Sequence, residues 1–176
     1  MEIRADIVLQ AVVKSFSEVI LPALDPNNSL AQEQSRLMLG LLTLLRERLP
    51  RQYEYDKDEL SRLLALAGEL DIAAHPARAA QVDACLAVRE RAGATPTELV
   101  EAITVMRSMV SDAVERVFAG PGQETSPALK SVMAAAREQH LRQRAWLLMQ
   151  GWESDPAAVP AIEELIPFID VAGAKR

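Results

Sequence analysis

Across most of this chain the apolar side chains recur every three or four residues, the spacing that lines them up along one side of an α-helix. No stretch shows the two-residue alternation of a half-buried strand, and the dipeptides that make tight hairpin turns are absent. Proline and glycine fall between the periodic segments, as punctuation. The pattern predicts an all-α fold, an up-and-down helical bundle of about six helices plus a short C-terminal helical segment.

The first helix, about Ile3 to Leu21, places Ala5, Leu9, Val12, Phe16, Val19 and Ile20 on one face, and Pro22 breaks it. Asn28 or Ser29 caps a second helix that runs to about Leu49, where Pro50 closes it. Its stripe is Leu30, Leu37, Leu41, Leu44 and Leu45, widened by Met38 and Leu42, with Leu39 opposite. A helix apolar over so much of its girth needs neighbours or a partner subunit around it. Asp56 and Glu59 mark the start of a third helix with Leu60, Leu63, Leu64, Ala67 and Leu70 inward. The fourth starts at Pro76, turns Val82, Cys85 and Leu86 inward, and ends at Gly93 as a left-handed cap.

Thr95-Pro96-Thr97-Glu98 is the sharpest local signal: a cap, a proline at the first helical position and the acid of a capping box. The fifth helix then carries a heptad seam of Leu99, Ile103, Met106, Val110, Ala113 and Val117, up to the loop Gly120-Pro121-Gly122. Ser126-Pro127 opens a sixth helix reaching about Trp152. Beyond Asp155-Pro156, Val159, Ile162, Ile166 and Ile169 share one side of a brief amphipathic segment. Residues 1–170 are expected to form a single all-helical domain, with 171–176 a frayed tail.

Composition narrows the function classes. A chain of 176 residues, 49% hydrophobic and 25% charged, can enclose one sizeable core. Its net charge of -6 disfavours a nucleic-acid partner, and two tryptophans, two tyrosines and three phenylalanines are too few for a base-stacking surface. The lone Cys85 forms no internal disulfide and fits a reducing compartment. The first residues lack the basic and apolar regions of a signal peptide, and the longest apolar runs fall short of the ~20 residues of a membrane span. A cytoplasmic protein without a membrane partner is the expectation.

Catalytic patterns are missing. Neither His75 nor His140 has a glutamate three residues before it, as a di-iron bundle requires, and Cys85 on an apolar stripe reads as a small hydrophobe. No nucleophile elbow or phosphate loop occurs. The acidic groups Asp56, Asp58, Glu59 and Glu163-Glu164 are assigned to capping or solvated positions. No catalytic residue, metal or cofactor is implied, and the balance leans away from an enzyme.

The sixth helix is the informative place. With Leu129, Val132, Met133, Ala136 and Leu147 as its apolar face, His140 falls near the centre, flanked by Gln143 on one side and by Arg137 and Arg144 on the other. Polar groups inside such a stripe cost free energy unless they are hydrogen-bonded. Their partners are either internal, with Glu33, Gln34 or Glu69 as candidates, or a small, amphipathic, anionic ligand bound by Arg137, His140, Gln143 and Arg144. The basic sixth helix and the acidic residues 153–170 should also fold together. Trp146 to Trp152 is apolar on all sides, so Trp146, Met149 and Trp152, with Leu39, are the candidate interface. The leading expectation is a non-enzymatic protein-interaction module, homodimeric. The alternative is a small-molecule-binding protein or enzyme built on the His140 cluster.

Overall fold

A computed structural model describes residues 4–119 and 126–166. The described residues are helical with no strand, and the fold is all-α, with six main helices and a short C-terminal one. Within them, one compact unit is drawn from Met1–Gln52 and Arg144–Pro160 and another from Tyr53–Gln143 and Ala161–Arg176. The loop Gly120-Pro121-Gly122, Ile169 and the expected tail at 171–176 lie outside the described residues.

In the first unit, α1 spans Ala5–Ser15 and continues through a π-helical turn, Phe16–Ile20, into Leu21–Ala23. Pro22 thus sits inside a helical turn and does not end the helix before it. Its ring crowds the carbonyl one turn earlier and it has no N–H to donate, and the wider π turn accommodates both. α2 (Ser29–Arg48) starts where Asn28 accepts a hydrogen bond from the Ala31 amide at 3.0 Å. α1 packs along α2. The stretch after Arg144 lies on α2 as well: Gln150 Nε2 donates to the Gly40 carbonyl at 3.0 Å. The Arg48 guanidinium stacks 5.1 Å from the Trp146 ring centre and donates to the main-chain carbonyls of Trp146 and Ala145.

In the second unit, α3 (Gln52–Glu69) follows directly from a 3-10 turn at Leu49–Arg51 and starts a full turn earlier than the Asp56 cue. α4 (Pro76–Glu90) starts at its proline as expected. It stops short of Gly93, because Arg91 leaves the helix in an extended conformation and its guanidinium pairs with Glu98. α5 spans Pro96–Ala119, and its capping box closes reciprocally. The Thr95 amide donates to Glu98 Oε2 at 2.8 Å, and the Glu98 amide donates to Thr95 Oγ1 at 3.3 Å. α6 (Pro127–Leu147) starts under Ser126, whose Oγ accepts from the Leu129 amide, and the boundary between the units falls inside it. α7 is the short Ile162–Leu165.

The core of this second unit joins Leu60 and Ala67 of α3, Cys85 of α4 and the seam Leu99, Ile103, Met106, Val110 and Ala113 of α5. Leu63, Leu64, Leu70 and Val82 pack against it. Leu86, expected inward, is exposed, since Cys85 already fills the narrow alanine-rich face of α4.

Candidate functional site

One charged side chain lies at the heart of the second unit. Arg142, on α6, is 1% exposed. Its Nη1 donates to Glu59 Oε2 at 2.8 Å and to Gln139 Oε1 at 2.6 Å, and Nη2 lies 2.9 Å from Asp58 Oδ2. The guanidinium also stacks on Tyr55, 4.6 Å from the ring centre. The array extends both ways: Arg107 of α5 holds the other oxygen of Glu59 at 2.9 Å, and Arg62 bridges Asp58 and Glu138, both at 2.7 Å. Arg62 Nη2 further donates to the Leu165 carbonyl at 3.0 Å. Positive and negative groups therefore alternate from Arg62 through Asp58, Arg142 and Glu59 to Arg107, tying α3, α5, α6 and α7 together.

This alternation decides the chemistry. Burial pushes the Glu59 carboxyl up, but hydrogen bonds from Arg107 and Arg142 outweigh it and hold the group below the ordinary carboxylate range. A carboxylate clamped by two guanidiniums is a poor base at neutral pH, because taking up a proton would break both pairs. Beside the array runs a groove of about 350 Å³ between α3, α5 and α6. Leu63, Leu66, Val110, Val114, Val132 and Ala135 form its walls, and Glu59, Arg62, Glu138 and Gln139 its polar end. Among the described residues no cluster of His, Cys, Asp or Glu could hold a metal ion, and no helix is long and apolar enough to cross a membrane.

The structure corrects the face of α6. Val132, Arg142 and Ala145 are buried, with Ala135 and Gln139 half-buried between them, while Met133, Ala136, Arg137, His140 and Gln143 are exposed. The helix is rotated by about one residue from the sequence reading. The reason is electrostatic: this rotation gives Arg142 the two carboxylates of α3, at positions the sequence reading had assigned to caps and solvent. Of the four candidate ligand-binding residues, Arg137, His140 and Gln143 stand on the outer side. Arg144 is engaged by Glu153 in a bidentate pair, Nε at 2.8 Å and Nη2 at 2.9 Å, so a base of α6 does meet an acid of the following segment. None of the four lines the groove.

The first unit presents a different kind of surface. Of nineteen large apolar side chains exposed among the described residues, five belong to the second unit: Leu86, Val100, Val105, Phe118 and Met133. The other fourteen belong to the first. Burial runs the opposite way, for among seventeen buried apolar residues only Ala145 and Val159 are in the first unit, and α1 and α2 bury none. On α2, Leu30, Gln34, Leu37, Met38, Leu41, Leu45 and Leu49 fall within a sector of ~120° at ~100° per residue, and all seven are exposed. Leu30 stands 66% exposed. Of the candidate interface residues, Met149 and Trp152 are exposed, Trp152 to 60%. Leu39 is half-buried on another side of α2, and Trp146 is half-buried under Arg48. Trp152 borders a notch lined by Glu33, Leu37, Gly40 and Gln150.

No family model, curated protein or solved structure matches this chain.

Leu37, Leu41 and Leu45, whose stripe the sequence leaves to neighbouring helices or a partner subunit, are all exposed. Helical period reports that a face is apolar; it does not report what covers it. Glu59 and Arg142 carried a signal that went unused. Val132, Ala135, Gln139 and Arg142 keep a three-four spacing, and Glu59 lies one residue before Leu60 on a core-facing turn.

Proposed function

We propose that this chain is a non-enzymatic helical interaction module that assembles into a homodimer through its first unit. The observation that carries the reading is the inverted distribution of apolar side chains. Among the described residues, the second unit owns nearly all the buried ones and the smaller first unit owns most of the exposed ones. Large apolar side chains left in water forfeit about 1.5–3 kcal/mol each relative to full burial, and contiguous apolar patches mark interaction surfaces. The clamped carboxylates and exposed His140 favour a structural role for the second unit. The single, buried Cys85 suits a reducing compartment, and the cytoplasm is the setting we propose.

Light scattering over a concentration series tests the reading. The wild-type chain should show twice the 19.3 kDa of a single copy. Replacing Leu30, Met38 and Trp152 by glutamine should return it to one copy with unchanged helicity. A wild-type mass of one copy at the highest attainable concentration would overturn the reading.

A further inference from the structure

We infer that the groove between α3, α5 and α6 binds a linear aliphatic diamine. Its methylene chain lies along the apolar walls, with one ammonium on Glu138 and the other on Glu69. All the lining residues belong to the second unit, so the inference stands apart from the proposed self-association through the first.

The polar groups around the groove choose the sign of the ligand. Among the described residues that line it, Arg62 is the one base. Its three guanidinium nitrogens are taken by Asp58, Glu138 and the Leu165 carbonyl, so an anion would meet no free cation. Glu59 is equally committed, one oxygen to Arg107 and the other to Arg142. What is left is acidic. Glu138 gives one oxygen to Arg62 and keeps the other, on a side chain 64% exposed. Glu69, which also lines the groove, is exposed and has no ion-pair partner among the described residues. An ammonium answers both carboxylates, and an apolar body answers the walls between them.

Length asks for two charges. α3 and α6 run antiparallel along the groove, since Glu59 meets Arg142 and, one turn on, Arg62 meets Glu138. Glu69 lies seven residues beyond Arg62, and Ser131 seven before Glu138, so each wall runs about 10 Å from one acidic end to the other. Leu63, Leu66, Val114 and Val132 line that stretch and offer no hydrogen-bonding side chain. The volume of about 350 Å³ is at the small end for ligand pockets, which suits a single slender chain. In 1,8-diaminooctane the two nitrogens stand about as far apart as the two ends.

Calorimetric titration of the full chain with 1,8-diaminooctane, octylamine and octanoate tests this, together with methyl NMR. The expected result is one diamine per chain, octylamine weaker by about two- to fivefold, the range of one exposed ion pair, and no heat from octanoate. Methyl shifts should fall on Leu63, Leu66, Val114 and Val132. Glu69→Gln should bring the diamine to the affinity of octylamine with circular dichroism unchanged. Glu101→Gln, at an exposed acid of α5 outside the groove, should leave the diamine's affinity as it was. Equal weakening by Glu69→Gln and Glu101→Gln would mean diffuse attraction to a chain of net charge -6 and would overturn the site. Octylamine or octanoate binding as tightly as the diamine, methyl shifts confined to the first unit, or no heat at millimolar diamine would overturn it too.

Discussion

Arg142 Nη1 and Glu59 Oε2 lie 2.8 Å apart, and both side chains are almost fully enclosed. Removing either partner leaves the other under-compensated in a buried place, Glu59 with only the exposed Arg107 and Arg142 with only Asp58. Arg142→Met or Glu59→Gln singly is expected to cost about 3–5 kcal/mol in urea unfolding. The double variant Glu59→Leu with Arg142→Met should cost clearly less than the sum of the single changes. A strictly additive cycle would mean that the two groups do not act as a unit.

Acid should loosen the molecule through three carboxyls. Hydrogen bonds from the Thr95 amide and hydroxyl, together with Arg91, hold Glu98 down to about 2, against an ordinary 4.5. Arg144 lowers Glu153, and Glu59 is lowered by its two arginines in spite of burial. Each folded-state value is depressed, so the unfolded chain takes up protons first. Their stabilisation is complete above pH ~4.5 and is lost as pH falls below it through the depressed folded-state values, about 2 for Glu98. Unfolding experiments across this range should show stability falling with acid. Carboxyl NMR should place the Glu98 midpoint near 2, and Thr95→Val should move it back toward the ordinary range.

Local signals in this sequence translated into structure more faithfully than global ones. The capping box Thr95–Glu98, the cap at Asn28 and the Ser126-Pro127 start formed as read, because each rests on bonds between residues three apart. The α5 seam also held, since five of its six members are buried. The face of α6 did not. Its apolar residues support two neighbouring rotations almost equally, and the choice depends on Asp58 and Glu59, more than eighty residues away in sequence. For the stripe of α2 the sequence leaves both neighbours and a partner subunit open, because leucine at helical spacing looks the same against a core as against a partner.

Gly40 is where α2 and Gln150 approach most closely, and it sets two known effects against each other. A Cβ there would lie 3.0 Å from Gln150 Oε1, so Gly40→Ala displaces the amide that donates to the Gly40 carbonyl. Losing that bond costs about 0.5–1.5 kcal/mol, while alanine gains about 0.8–1.0 kcal/mol over glycine inside a helix. The two nearly cancel, and Gly40→Ala should change stability by less than about 1 kcal/mol. In a Gln150→Ala background the bond is already gone, so the same substitution should stabilise by the full helical gain. Equal effects in the two backgrounds would show that the glycine is not there to admit Gln150.

The rotation of α6 predicts opposite fates for two residues half a turn apart. His140 is exposed, so His140→Ala removes no buried contact and places the best helix former in a helix interior. Its effect on unfolding free energy should stay within about 0.5 kcal/mol, the usual range for a surface change. Arg142→Ala, two positions on, removes the buried partner of Glu59 and leaves that carboxylate to Arg107 and Asp58 to Arg62, and it should be among the most damaging substitutions in the chain. Were His140 the inward group, the order would reverse, with the alanine at 140 costing about 1–3 kcal/mol for the partners it leaves unsatisfied. Denaturant unfolding of the two variants side by side separates these outcomes, because the rotations differ in sign of the difference and not merely in its size.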